Sequence, residues 1–184
     1  MEKEKRVEIK DIVKNLKEKA DKGGFVSEKE LLESREKTKE KQQPIAVFLS
    51  CSDSRVIPEY IFKAKYGELF VVRSAGNNLD VNALASIEYA IKHLNVDLVV
   101  VLGHTNCGAV KAAVEGVKGH GEEKFLPMLI DKIKENIENE KDVKKAAIKN
   151  VNKVKEKLKE LFKGNIEVLG AIYNLETGKV EWID

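Results

Sequence analysis

Hydrophobic positions change period along this chain. Over residues 5–21, Val7, Ile9, Ile12, Val13 and Leu16 recur among Lys and Glu at helical spacing, which predicts an amphipathic helix. Gly23-Gly24 ends it, and Ser27 with Glu30 forms a capping box that opens a second helix toward Lys41. Pro44 marks the entry to a different pattern. Short apolar runs at 45–50, 69–73, 98–102, 166–172 and 180–183 read as strands. Between them lie helical patterns at 58–65, 82–94 and 108–115 and a long charged stretch over 125–163. In that stretch Ile133, Ile137, Ile148, Val151, Val154, Leu158 and Leu161 keep helical spacing, and the simplest reading is a pair of surface helices.

Strands alternating with helices predict an α/β fold, with a mostly parallel sheet of four strands flanked by helices. Glu176-Thr177-Gly178 joins the last two runs as a hairpin, which makes the final strand an antiparallel edge. Residues 1–41 read as an N-terminal helical arm and 42–184 as the α/β domain, one domain overall. Residues 117–123, VKGHGEE, have loop composition.

The charge balance narrows the partners. With 33 basic and 31 acidic residues the net charge is +2, and no Arg patch is interleaved with aromatics, so no nucleic-acid partner is expected. No apolar run approaches the roughly 20 residues of a membrane span. The start, MEKEKRVEIKDIV, has no apolar signal core, and a cytoplasmic address follows as the expectation. Two cysteines without a secretion signal argue against a disulfide framework.

Those cysteines carry the chemistry. Cys51-Ser52-Asp53-Ser54-Arg55 and His104-Thr105-Asn106-Cys107 each follow a strand-like run. If the two strands are neighbours in a parallel sheet, Cys51, His104 and Cys107 meet at its carboxyl edge, where open α/β sheets place their sites. Each alone reads as a buried thiol or a satisfied core histidine. Together they form a Cys₂His set, which leaves one position of a tetrahedral zinc open. His93 and His120 lack such companions and read as a helix-face and a loop residue. Asp53 and Arg55 alone would be an ion pair worth under ~1 kcal/mol. Beside a zinc whose charge two thiolates already neutralise, a water needs help to ionise. Asp53 could accept that water's proton in a hydrogen bond and orient the hydroxide, with Arg55 keeping the carboxylate ionised. Alternatively, Asp53 binds the zinc itself and switches the site off.

CSDSR at 51–55 and GHTNCGAV at 103–110 resemble the β-class carbonic anhydrases. The likeness runs from Gln42 onward, through QQP at 42–44, GELFVVRSAGN at 67–77, SIEYAI at 86–91, Asn150-Val151 and GAIYNLETGKV at 170–180. The resemblance implies zinc on Cys51, His104 and Cys107, with Asp53 and Arg55 as the catalytic dyad. It implies hydration of carbon dioxide to bicarbonate by zinc-bound hydroxide, in a homodimer or multiple of dimers. The cleft would lie at the dimer interface, lined by Gln42, Phe70 and Tyr89, with the Gln contributed across that interface. The alternatives are a carbonyl sulfide or carbon disulfide hydrolase on the same zinc set, and a non-catalytic zinc-binding module. The first forty residues depart from the family's aromatic-rich arm. Relatives inhibited by bicarbonate at a second site carry Trp, Arg and Tyr there. Arg73 and Tyr173 match two of these, and Phe48 stands at the Trp position without an indole N–H. The proton-shuttle candidates are His93 and His120.

Overall fold

Two strands are buried along their whole length, β1 (Ala46–Cys51) and β3 (Leu98–His104), and everything else is arranged around them. Strands rich in Val, Leu and Ile with both faces covered are the mark of a parallel sheet interior. The computed structural model describes residues 2–116, 122–164 and 166–183, with side chains described from residue 9 onward. His120 and most of the 117–123 loop therefore lie outside the described residues, as does the side chain of Val7. The sheet is completed by β2 (Leu69–Ser74), β4 (Glu167–Tyr173) and β5 (Val180–Ile183), in the order β2-β1-β3-β4-β5. β2, β1, β3 and β4 are parallel and β5 is antiparallel to β4, as the periodicity predicts.

The period-2 alternation of the strands divides the core. Val47, Leu49, Val99, Val101 and Val168 face a layer made by four helices: α4 (Val81–His93), α5 (Gly108–Glu115), α6 (Leu126–Ile137) and α7 (Val143–Leu161). Ala46, Phe48, Leu98, Val100 and Leu102 face the other way, onto Leu16 and Ala20 of α1 (Glu2–Lys22) and onto Phe62. Phe62 follows the short α3 (Pro58–Ile61), and its ring lies 4.6 Å from that of Phe48. The arm is held further by α2 (Glu28–Thr38), which opens on the expected Ser27–Glu30 capping box. Ion pairs Lys19–Glu68 at 3.0 Å and Lys65–Glu30 at 3.1 Å tie both arm helices to the segment before β2. No helix among the described residues is long and apolar enough to cross a membrane.

The 125–163 stretch is the expected pair of helices, separated where Glu138 and Asn139 take left-handed φ values of 52° and 65°. As surface helices they keep their charged faces outward, while Ile130, Ile133, Ile137, Val151, Val154 and Leu158 are buried, because the apolar stripe of each supplies the cover that the sheet's inner strands require. Two predicted helix ends need correction. The predicted helix at 58–65 stops at Ile61, since Phe62 turns into the core and Lys63 adopts a φ of 46°. The second helix ends at Thr38 rather than running to Lys41. By contrast β1 and β3 each extend past the predicted end, so Cys51 and His104 are the last residues of their strands.

Gly103 shows how tightly α7 sits on the sheet. A Cβ there would lie 2.6 Å from Val151 Cγ2 and 2.9 Å from Ile172 Cδ1. Gly103→Ala should destabilise the fold by ~1–3 kcal/mol, the usual cost of overpacking, read from urea unfolding. Glu30 offers a pH test. The Ser27 hydroxyl, then Lys65 and the Ser27 amide, hold its carboxyl down at about 2, against an ordinary 4.5. The fold favours its ionised form, so its contribution is complete above about pH 4.5 and is lost as pH falls toward 2. Glu30→Gln should flatten that part of the stability–pH curve.

Candidate metal centre

β1 and β3 are hydrogen-bonded neighbours, with Ser50 opposite Leu102, so their carboxyl ends emerge side by side. Cys51 and His104 are carried there by the strands. Cys107 arrives by a sharp turn in which Asn106 takes a φ of 55°, and it occupies the N-cap of α5. That position sets a thiol against the positive end of a helix dipole. The Cys51 Sγ, Cys107 Sγ and a His104 ring nitrogen all lie within 4.8 Å of one another, and all three residues are buried. Both thiols are free of disulfides. Among the described residues no other His, Cys, Asp and Glu group meets this condition.

The imidazole is preset. His104 Nδ1 lies 2.8 Å from the Thr105 carbonyl, which can only accept, so Nδ1 carries the hydrogen and Nε2 keeps its lone pair. Nε2 is buried and has no hydrogen-bond partner. A buried polar atom left without a partner calls for an explanation, and a cation beside the two thiols supplies one. Tetrahedral zinc with Zn–S of about 2.3 Å and Zn–N of about 2.0 Å needs ligand separations of about 3.5–4 Å. The residues present fit that ion with little adjustment.

The thiols act as a pair. Cys51 is drawn well below an ordinary thiol, chiefly because Cys107 donates to its thiolate; burial opposes this, and the Asp53 and Gly76 amides add to it. The Asp53 and Gly76 amides donate to Cys51 Sγ at 3.4 Å and 3.2 Å. Cys107 is pushed up by the same contact and by burial. One proton therefore leaves readily and the second stays until a cation displaces it, as metal binding to thiols requires.

Asp53 and Arg55 form the expected pair, in a bidentate contact. Arg55 Nε donates to Oδ1 at 2.9 Å and Nη2 to Oδ2 at 2.7 Å, while the Arg55 amide also donates to Oδ1. The Arg55 side chain holds the Asp53 carboxyl well below the usual carboxylate range against some burial. Asp53 Oδ2 is 3.9 Å from His104 Nε2, so the carboxylate borders the candidate metal position while engaged by Arg55.

Gln42, Phe70 and Tyr89 are elsewhere. Phe70 pairs with Val47, four residues before Ser74, the partner of Cys51, or about 13 Å along the strand. The Tyr89 ring lies 6.2 Å from Phe70 and stacks at 5.3 Å on His93, on the outer side of α4. Gln42 precedes β1, at its amino end. One chain does not bring these three to the three-residue cluster.

Arg73 is the residue whose role the sequence reading missed. It spans the 51–56 loop from beneath, with Nε donating to the Cys51 carbonyl at 3.1 Å and Nη2 to the Asp53 and Val56 carbonyls at 2.8 Å each. Its guanidinium is thus engaged with the backbone that carries the dyad. Phe48, at the position of the family's Trp, is fully buried in the core beside Phe62.

Fold and site together define an open α/β protein with a Cys₂His metal-capable centre at the sheet's carboxyl edge. A sequence model described as carbonic anhydrase matches residues 46–180, and the chain belongs to that family, in its β class. Carbonic anhydrase 2 of Mycobacterium tuberculosis is 54% identical over 76 residues, covering 41% of this chain and 37% of the relative. The carbonic anhydrase of Synechococcus elongatus is 34% identical over 165 residues, covering 76% and 60%. The chain thus spans between about a third and two thirds of these relatives' length. Among solved structures, the β-carbonic anhydrase CcaA aligns with a TM-score of 0.68 at 27% identity, covering 85% of this chain and 86% of that one. A Coccomyxa β-carbonic anhydrase in complex with acetazolamide gives 0.72 at 27% identity, covering 82% and 76%.

Added zinc should therefore stabilise the protein. Free metal at a thousandfold its Kd corresponds to ~4 kcal/mol, visible as a raised Tm. Cys107→Ser should abolish the rise.

Proposed function

We propose that this chain catalyses the reversible hydration of carbon dioxide to bicarbonate and a proton, with zinc held by Cys51, His104 and Cys107. The observation that carries the reading is the buried, partnerless Nε2 of His104 facing two thiols, with an Arg-anchored carboxylate 3.9 Å away. Zinc bound there would supply Lewis acidity that brings a water within reach of deprotonation near neutral pH. The protein supplies the rest. Asp53, kept ionised by Arg55, is a hydrogen-bond acceptor only, so it accepts a hydrogen bond from a donor beside it and fixes how that donor's lone pair points. Arg73 holds the Asp53 carbonyl and, on either side of it, those of Cys51 and Val56, so the backbone that carries the carboxylate is pinned by charge-assisted bonds.

Both Asp53 oxygens are engaged by Arg55, which favours the acceptor role over direct ligation of the metal. The substrate is small and apolar and needs a dry wall. Phe70 and Tyr89 supply one only if a second copy of the chain brings them to the cleft, together with Gln42. The exposed Tyr89 face is consistent with that assembly. Two β-carbonic anhydrases of the filamentous ascomycete Sordaria macrospora are tetrameric, although at 24% identity that likeness speaks for the fold alone.

A carbonyl sulfide hydrolase would use the same donors and would differ in substrate preference. A structural zinc module normally has four protein ligands, and among the described residues the carboxylate beside the cluster, that of Asp53, is held by Arg55. Asp53→Ala separates the readings. Zinc content should stay at one per chain while turnover of carbon dioxide falls by ~10²–10⁴-fold, the usual contribution of a placed proton acceptor. Loss of zinc in this variant would make Asp53 a ligand instead, and unchanged turnover would remove it from the mechanism.

A further inference from the structure

We infer that Asn150, in the middle of α7 and distant in sequence from every candidate ligand, is a positioning residue for the metal centre. It locks the Gly76 backbone whose amide donates to Cys51. The inference rests on the reading that Cys51, His104 and Cys107 hold a metal ion.

Apart from Lys155, the buried residues of α7 around Asn150 are aliphatic: Ala146, Ala147, Val151, Val154 and Leu158. Asn150 is 1% exposed among them. A buried primary amide is costly unless its groups are bonded, and these are. Nδ2 donates to the Gly76 carbonyl at 3.0 Å, and Oδ1 accepts from Asn136 Nδ2 of α6 at 2.8 Å. The Gly76 carbonyl can only accept, which fixes the orientation of the amide.

Gly76 lies in the 3₁₀ turn Ala75–Asn77 that follows β2, with φ 66° and ψ 26°. Its N–H reaches Cys51 Sγ at 3.2 Å. The place of a side chain is taken: a Cβ would meet Ile133 Cδ1 at 2.6 Å and Ala109 Cβ at 3.2 Å. Ala109 is two residues beyond Cys107. Gly76 is therefore clamped by α5 and α6 on one side and by Asn150 of α7 at its carbonyl, with its amide aimed at sulfur. A hydrogen bond to a metal thiolate fixes the sulfur and draws charge from it, and partners of this kind tune affinity and electronic structure. A leucine at 150 would complete the apolar stripe. It would also leave the Gly76 carbonyl and the Asn136 amide unpaired in the interior.

Cobalt(II), loaded in place of zinc, reads the sulfur directly through its thiolate charge-transfer bands. Asn150→Ala should shift those bands and weaken cobalt binding by about 10–100-fold, measured by competition with a chelator. Asn136→Ala leaves the Gly76 contact but frees the far end of the amide, and should act in the same direction by a few-fold. It also keeps the test decisive should Asn150→Ala fail to fold. Leu158→Ala, two turns along the same buried face, controls for lost stability and should leave the bands unmoved. Unchanged bands and affinity in the Asn150 and Asn136 variants would overturn the inference, as would Leu158→Ala moving both equally. Absence of thiolate bands in the wild-type protein would overturn the metal reading along with it; bands in the wild type that no variant disturbs would leave the metal reading standing.

Discussion

Parallel pairing of β1 with β3 is the constraint on which the rest depends. Both strands are buried on both faces, so their register is held by side chains above and below. A slip of one residue would send every side chain to the opposite face. With Ser50 fixed opposite Leu102, the chain has no freedom in where Cys51 and His104 emerge. Cys107 then needs only one left-handed residue, Asn106, to return to the same point. The metal-capable cluster is a consequence of strand order.

What surrounds that point is a division of labour between two arginines. Arg55 acts on the Asp53 side chain, holding the carboxylate ionised and oriented. Arg73 acts on the backbone beneath it, joining three carbonyls of one loop. Neither charge is in the cluster itself, where two buried thiols lie against each other and the imidazole keeps a free lone pair. That donor set suits a cation. On the far side the Ala75–Asn77 turn, carried at the end of β2 and clamped by α5, α6 and α7, covers Cys51.

Much of this was legible in the sequence because the chemistry sits at the ends of apolar runs. Cys51, His104 and Cys107 stand where β-type patterns stop, and Asp53 and Arg55 are close enough to Cys51 to be read with it. Strand number, direction and the antiparallel edge followed from the alternation of periods. The helices over 125–163 were legible both as a pair and by their stripe of Ile, Val and Leu, most of which the fold buries while the charged faces stay outward. Arg73 and Asn150 could not be assigned roles, since their partners are backbone groups that are near only after folding. The signal available was conformational: Gly76, Asn77 and Asn106 are residue types suited to the left-handed region, and all three adopt it beside the site. Gln42, Phe70 and Tyr89 were legible only by resemblance, and a single chain does not unite them with the cluster, because strand geometry sets Phe70 some 13 Å from it and the other two lie on that same side.

Stopped-flow hydration of carbon dioxide by the zinc-loaded wild-type protein, from about pH 6.5 to 9 and with carbonyl sulfide as the competing substrate, tests the central claim most directly. The account predicts rapid turnover of carbon dioxide that rises with pH across this range and exceeds that of carbonyl sulfide. Zinc bound at one per chain with no hydration at any pH would contradict it.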